Sequence, residues 1–577
     1  MGKRSDKSWW CGVNILRWIF AGALAAPMAV QAQPQVQSTK AIATVAGRYA
    51  DPARKQAGVY GTDLGWTFKH EGRLWVLFGD SWRDDVEGQR DLGVKIGNVP
   101  IADDALGFVS LAANGGFPNG QAVEAFIASP AAAKTPAWRS TSPTLTFARL
   151  NNNPSNKAGP MQPVRDGLEM WSLPAQTPVA GFSNARSGAA SGAFAIFFQN
   201  EKLLCGEGTC SNGYTCATNI GVCIEEGQND PTPISQPCVL GSPSRPRFCS
   251  RCDPTPWFHG GMCVDTGSSV YDPQSNAGQA AAVVRIHQVG NARKDNPLKF
   301  DSQNWITQRF FNPAARTVSD FDGTRANGAG NDYRTADGVN PEREGVFIWG
   351  RPNFGGVGAD ERDAQLYLAW VPMPDYNRNG RFAWRPQFFA GVGANGAPIF
   401  KSSELEAKPL DLDAVTPGDQ PKETRDMVGQ MTVAFIPSLS RWVMFYGGGM
   451  GSVFGELIFG ADIDTINKET VGPIYVRYAE HPWGPWTAPE ALLDPGDPDE
   501  PSEAYGPDGI MFSRACQGDA CAKPQEAWKT DLGALYGPDI IDPWTTEQSD
   551  GTTNVYWHLS TWNPYQVLLM RTTFTAQ

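Results

Sequence analysis

Two aspartates carry the first chemical signal. Asp63 stands near the start of the apolar run "GTDLGWTFKH" (61–70), and Asp80 at the end of the next, "RLWVLFG" (73–79). Only Glu71 and Gly72 separate the runs, which read as a β-hairpin with a two-residue turn. In that register Asp63 and Asp80 oppose each other, on one face and at one end. Like charges so placed are destabilising, so the arrangement needs a reason. A shared site supplies one: two close carboxyls cannot both ionise easily, and one keeps its proton near neutral pH. Glycoside hydrolysis uses such an asymmetric pair, one carboxyl protonating the leaving oxygen and the other attacking or activating water. A separation of about 5–5.5 Å goes with retention, roughly 6.5–9.5 Å with inversion. A bulged turn would shift the register by one, and two unrelated turn aspartates are the plain structural alternative.

The elements that must position these residues recur along the chain. After the first hairpin come "TPVAGFS/GAFAIFFQ" (177–199), "GVFIWGRP/AQLYLAWV" (345–371), "QMTVAFIP/RWVMFYGG" (430–448) and "YGPDIIDP/NVYWHLST" (536–561), with trailing strands such as "AAVVRIHQ", "GPIYVRYA" and "QVLLMRTTF". Many runs are apolar on both faces, as in sheets sandwiched between neighbouring sheets. The expected fold is all-β, a five-bladed β-propeller over 59–577. A β-sandwich with a second domain is the alternative, since the units are irregularly spaced. Inner strands of a propeller begin around an axial pocket, so polar residues at their starts converge there. Asp539 in "YGPD" repeats the placement of Asp63 in "YGTD"; a second "YGPD" ending at Asp508 reads as a loop.

The first 32 residues have Lys3, Arg4, Lys7 and Arg17, the apolar stretch "IFAGALAAPMAV" and a small-residue site ending at Ala32. They read as a secretory signal peptide, and no later segment is apolar for long enough to span a membrane. A secreted or periplasmic protein is expected, with 33–58 as an N-terminal segment. Removing the leader takes the formal charge from −12 to −15, which excludes nucleic acid as a natural partner. Ten cysteines remain, and eight of them, Cys205 to Cys263, mark a cysteine-rich insertion at 205–263. Disulfides are favoured over zinc at Cys249 and Cys252, because export places the segment in an oxidising compartment. Cys516 and Cys521 read as a local staple.

These residues resemble a family of bacterial secreted five-bladed propellers, formerly a domain of unknown function, that includes endo-D-arabinanases. The resemblance rests on "GTDLG" with "LFGDSW", "GVFIWGRPNFGG" with "AQLYLAWV", "RWVMFYGGG", "PWGPWTAPE" and "STWNPYQVLLMR", spread over 59–573 outside the insertion. It implies a sugar-cleaving site at the propeller axis, with Asp63 and Asp80 as the paired first-blade aspartates. Gln430, in "GQMTV", stands where the family resemblance leads one to expect an acid.

Other candidates for a polysaccharide or oligosaccharide site are Trp66, Trp82 and Trp349 as stacking platforms, Arg351 and Arg477 as forked donors, and Glu169, Gln430 and Asp539 as polar contacts. Blade core and salt bridges are the bland readings of the same residues. The loop "DYNRNGRF" offers Asp375, Asn377 and Asn379 as calcium ligands, but position twelve is Pro386 and Asn-Gly suits a hairpin turn; the turn is favoured and no cofactor is expected. Five histidines without H-E-x-x-H, and the lack of G-x-S-x-G after a strand, speak against zinc-protease and serine-hydrolase chemistry. Two functions follow: an exported glycoside hydrolase acting on a furanose-rich or other neutral polysaccharide, or a non-catalytic carbohydrate-binding or surface-interaction propeller.

Overall fold

The computed structural model describes residues 33–47, 61–82 except 71, 105–109, 145–147, 177–183, 192–203, 214–217, 222–225, 251–252, 263–264, 277–287, 299–307, 309–321, 343–351, 365–373, 384–412, 428–447, 473–496, 504, 509–511, 534–562 and 564–575. The described elements are β-strands with a few single-turn 3-10 helices, and the blade-like sheets are arranged as a propeller. Five sheets have four or five strands each, and all neighbouring strands are antiparallel. Their inner strands are Gly61–His70, Thr177–Ser183, Phe311–Val318, Met431–Ile436 and Ala534–Ile540.

The first inner strand is buried along nearly its whole length, because one face of its sheet meets the second sheet and the other meets the fifth. Contact with the second sheet is tight: a Cβ on Gly181 would lie 2.2 Å from the Phe68 ring. Between the third and fourth sheets lie Phe347, Trp349, Trp370, Met431, Trp442 and Tyr446; between the fourth and fifth lie Phe445, Val476, Tyr478, Trp557 and Phe574.

Side-chain hydrogen bonds stitch each inner strand to the next. Thr67 donates its backbone N–H (2.7 Å) and hydroxyl (2.5 Å) to Asp539 Oδ2. Thr432 reaches Asp539 Oδ1 at 3.3 Å and takes the Ile540 N–H at 3.2 Å. Arg316 Nε donates to the Val433 carbonyl at 2.9 Å, and its terminal nitrogen reaches the Ile540 carbonyl at 3.4 Å. Thr317 donates to the Ser183 carbonyl at 3.0 Å, and Ser183 in turn donates to the Lys69 carbonyl. The girdle satisfies polar groups that apolar packing would strand.

Two expectations change here. Residues 33–58 do not simply precede the propeller: strand Gln35–Gly47 is the outer strand of the fifth sheet, paired along Gln566–Thr575. Nor is "GVFIWGR" an inner strand. Phe311–Val318 lies inside it, so Trp349 and Arg351 belong to the second strand of their sheet. Within the cysteine-rich segment, two short hairpins place Cys216 opposite Cys223 and Cys252 opposite Cys263. The leader, Cys205, Cys210, Cys238, Cys249, Cys516, Cys521, Asp508 and the loop bearing Asp375, Asn377 and Asn379 lie outside the described residues. Among the described residues no helix is long and apolar enough to cross a membrane, and no cluster of three or more metal-ligating side chains occurs.

Candidate functional site

The first hairpin closes as its sequence requires: His70 pairs with Arg73, and Gly72 takes the left-handed conformation (φ 75°) that a tight turn needs. Toward the other end the register slips. Leu64 (φ 66°) and Gly65 (φ 80°) form a bulge between the Leu64–Phe78 and Trp66–Leu77 pairs. Asp63 therefore faces Gly79, which corrects the expected Asp63–Asp80 opposition. Glycine adopts a positive φ freely, but leucine does so under strain, and strain of this kind persists only where surrounding contacts enforce it. A second irregularity separates Gly61–Trp82 from Asp63–Gly79, with the Thr62 hydroxyl 2.8 Å from that of Ser81. The side chains of Asp80 and Trp82 lie outside the described residues, as does Glu169.

The bulge turns Asp63 toward the fifth sheet. Asp63 is 9 % exposed with Oδ1 buried, and Tyr536 donates its hydroxyl to Oδ2 at 3.0 Å. Burial pushes the Asp63 carboxyl up to about 6, since a carboxylate is poorly solvated there; hydrogen bonds from Tyr565 and Tyr536 hold it from rising further. Asp63 therefore titrates within reach of neutral pH, as a proton-transferring carboxyl needs to.

Gln430 approaches the same place from the fourth sheet. Its side chain is 7 % exposed with the carbonyl oxygen buried, and that oxygen lies 3.4 Å from where a Cβ on Gly537 would sit, with Ser560 Oγ at 3.3 Å and a Leu64 methyl at 3.4 Å. Gly537 (φ 57°) follows Tyr536 directly, at an irregularity between Tyr536 and Asp539. Asp63, Tyr536, Gly537 and Gln430 thus gather where three inner strands begin. The site combines a carboxyl of raised proton affinity, phenolic hydroxyls and a neutral amide, a donor and acceptor set suited to a hydroxylated, uncharged ligand.

Several expected site residues do other work. Asp539 lies deeper, at the level of Thr67, four residues beyond Asp63, where it is 5 % exposed and ties three inner strands together. Trp349 is fully buried, donates its indole N–H to the Pro482 carbonyl at 2.8 Å and packs on Trp442 with ring centroids 5.7 Å apart. Trp66, 3 % exposed, likewise offers no open stacking face. Arg477 sits on the third strand of the fourth sheet, buried, with Tyr446 Oη at 3.0 Å and the Thr487 carbonyl at 2.7 Å. Arg351 is fully buried and donates to the Val428 carbonyl, two residues before Gln430, so it braces the entry to that strand.

Tyr536, Tyr565, His558 and Ser560 were not singled out in the sequence. The signal for Tyr536 was available, since it opens the "YGPD" repeat of "YGTD"; the other three become visible only once the first and fifth sheets are adjacent.

No family model matches the chain, and no curated protein does either. Among solved structures, the chain is similar to a sialidase of Trypanosoma rangeli in complex with a difluorinated keto-deoxy-nononic acid, at 7 % identity and a TM-score of 0.22. That match covers 89 % of this chain and spans 54 % of the sialidase, and at such similarity it carries no argument about this chain.

Proposed function

We propose that the protein is an exported glycoside hydrolase that cleaves a neutral, furanose-rich polysaccharide at the mouth of a five-bladed propeller. The observation that carries the reading is Asp63: a buried carboxyl, raised to about 6, turned out of sheet register by a strained bulge and set between two tyrosines. Closure into five blades is supported by inner strands that touch in sequence, the fifth returning to the first through Asp539 and Thr67. Below about pH 6 Asp63 is the proton donor to a leaving sugar oxygen. The residue adjoining its partner Gly79, Asp80, is the candidate for the second carboxyl, either attacking the anomeric carbon or activating water. Gln430 holds a sugar hydroxyl, and the buried Tyr536 orients Asp63.

A specific observation favours the second reading, a non-catalytic carbohydrate-binding propeller: Gln430 places a neutral amide where the resemblance calls for an acid. Purified protein assayed against arabinans, arabinogalactans and other neutral glycans, for reducing-end release and for binding, separates the two. Release that Asp63→Asn lowers by several orders of magnitude supports the hydrolase; binding without release supports the lectin-like reading.

A further inference from the structure

The bulge that aims Asp63 is held from outside its own sheet. Leu64 and Gly65 direct their carbonyls toward the second strand of the fifth sheet, Thr552–Trp562. There Ser560 Oγ donates to the Leu64 carbonyl at 3.1 Å and His558 Nδ1 lies 2.7 Å from the Gly65 carbonyl. A carbonyl only accepts, so Nδ1 carries the proton. Both side chains are buried, His558 at 2 % and Ser560 at 0 % exposure. Gly65 also leaves the histidine its space, since a Cβ there would lie 3.2 Å from Nδ1 and 2.9 Å from a Val567 methyl.

We infer that His558 and Ser560 are positioning residues for Asp63, clamping two successive left-handed residues across the junction between the fifth and first sheets. The inference rests on Asp63 being the working carboxyl of the proposed site. Without the clamp, the strained Leu64 relaxes toward the ordinary β region, the bulge loses its outside support, and Asp63 leaves the tyrosine pair for a more solvated position. Burial of the histidine fits this role: it holds the imidazole down to about 4, so the ring stays neutral and Nδ1–H remains a steady donor. His558 therefore acts through Asp63, without itself touching the ligand.

The test reads Asp63 directly and needs no substrate. The carboxyl titration is followed by the infrared difference between each protein and the same protein carrying Asp63→Asn. His558→Asn places an amide nitrogen near Nδ1, whereas His558→Gln places it near Nε2. The clamp predicts a midpoint near 6 in the wild type and in His558→Asn, and one lower by a pH unit or more in His558→Gln and His558→Ala. Should His558→Ala not fold, Ser560→Ala carries the same expectation. A midpoint unchanged in the folded alanine variants, or moved equally by Asn and Gln, overturns the inference. Because the readout is a titration, a protein that cleaves no glycan would undo the hydrolase reading and leave this result standing.

Discussion

Tyr536 Oη lies 3.0 Å from Asp63 Oδ2, joining the inner strand of the fifth sheet to that of the first. The carboxyl that a glycosidase would use is thereby set by a residue 473 positions away in the chain. Tyr536→Phe removes a donor that favours the ionised form, so the Asp63 midpoint should rise above about 6 and the alkaline limb of any activity, where the proton donor is lost, should move up with it. A pH profile that does not move would separate Tyr536 from the chemistry.

Asp63→Asn keeps the shape and removes the acid, so turnover should fall by several orders of magnitude while the fold survives. Melting temperature measured beside turnover gives the check. A variant that melts markedly lower yet turns over normally per folded molecule would make Asp63 structural.

Asp63 and His558 give opposite pH slopes to stability. The carboxyl, raised from 3.8 to about 6, binds its proton more tightly in the folded state, so stability falls as pH rises between those values. The imidazole, lowered from 6.5 to about 4, binds its proton more weakly when folded, so stability rises with pH from about 4 to 6.5. Between pH 4 and 6 the two largely cancel. Relative to wild type, Asp63→Asn should gain nothing below pH 4 and about 3 kcal/mol above pH 6, at 1.36 kcal/mol per pKa unit. Urea midpoints across that range measure it.

Asp539 should behave in the opposite way to Asp63. Its carboxylate accepts from the Thr67 N–H, the Thr67 hydroxyl and the Thr432 hydroxyl, all between inner strands. Asp539→Ala leaves a buried N–H unpaired and opens the girdle, at a cost of about 3 kcal/mol or more. Equilibrium unfolding with an unchanged m-value tests this, and a loss of activity proportional to the folded fraction is expected.

The two described hairpins of the cysteine-rich segment predict cross-links Cys216–Cys223 and Cys252–Cys263, since residues directly opposite in antiparallel strands have Cα atoms within disulfide reach. Peptide mapping without reduction checks both. Recovery of these cysteines as free thiols, or joined to other partners, would refute the pairing.

What the sequence disclosed depended on whether local pattern or distant contact set the structure. The two-residue turn at 71–72 was readable because a glycine between two apolar runs has few other uses. The bulge beside Asp63 was not: Gly65 hints at it, but Leu64 carries no signature of a left-handed backbone, and the donors that hold it there lie about 500 residues away. The third inner strand was hidden for a related reason. "FNPAARTV" looks less strand-like than "GVFIWGR" because Arg316 and Thr317 serve the girdle, while the second strand is apolar on both faces. The same tetrapeptide, "YGTD" or "YGPD", sends its aspartate to different depths because the two strands are interrupted at different points. Arg477 and Trp349 have the chemistry of sugar contacts, but burial between sheets commits them to packing.

The fifth sheet holds both Gln35–Gly47 and Gln566–Thr575, with Gln35 opposite Thr575. The fifth sheet cannot be completed before residues 566–575 have been made. Four sheets can form from segments nearly contiguous in sequence, but the last must recruit a strand synthesised more than 500 residues earlier, at the loop-closure cost that slows folds of high contact order. Until then the early strand is an unpaired, partly apolar edge, the kind of segment that draws other chains into aggregates. Refolding from denaturant is therefore expected to wait on the arrival of residues 566–575, and because Gln35 and Thr575 finish opposite each other, a covalent link between these two strands should turn that slow encounter into a local one.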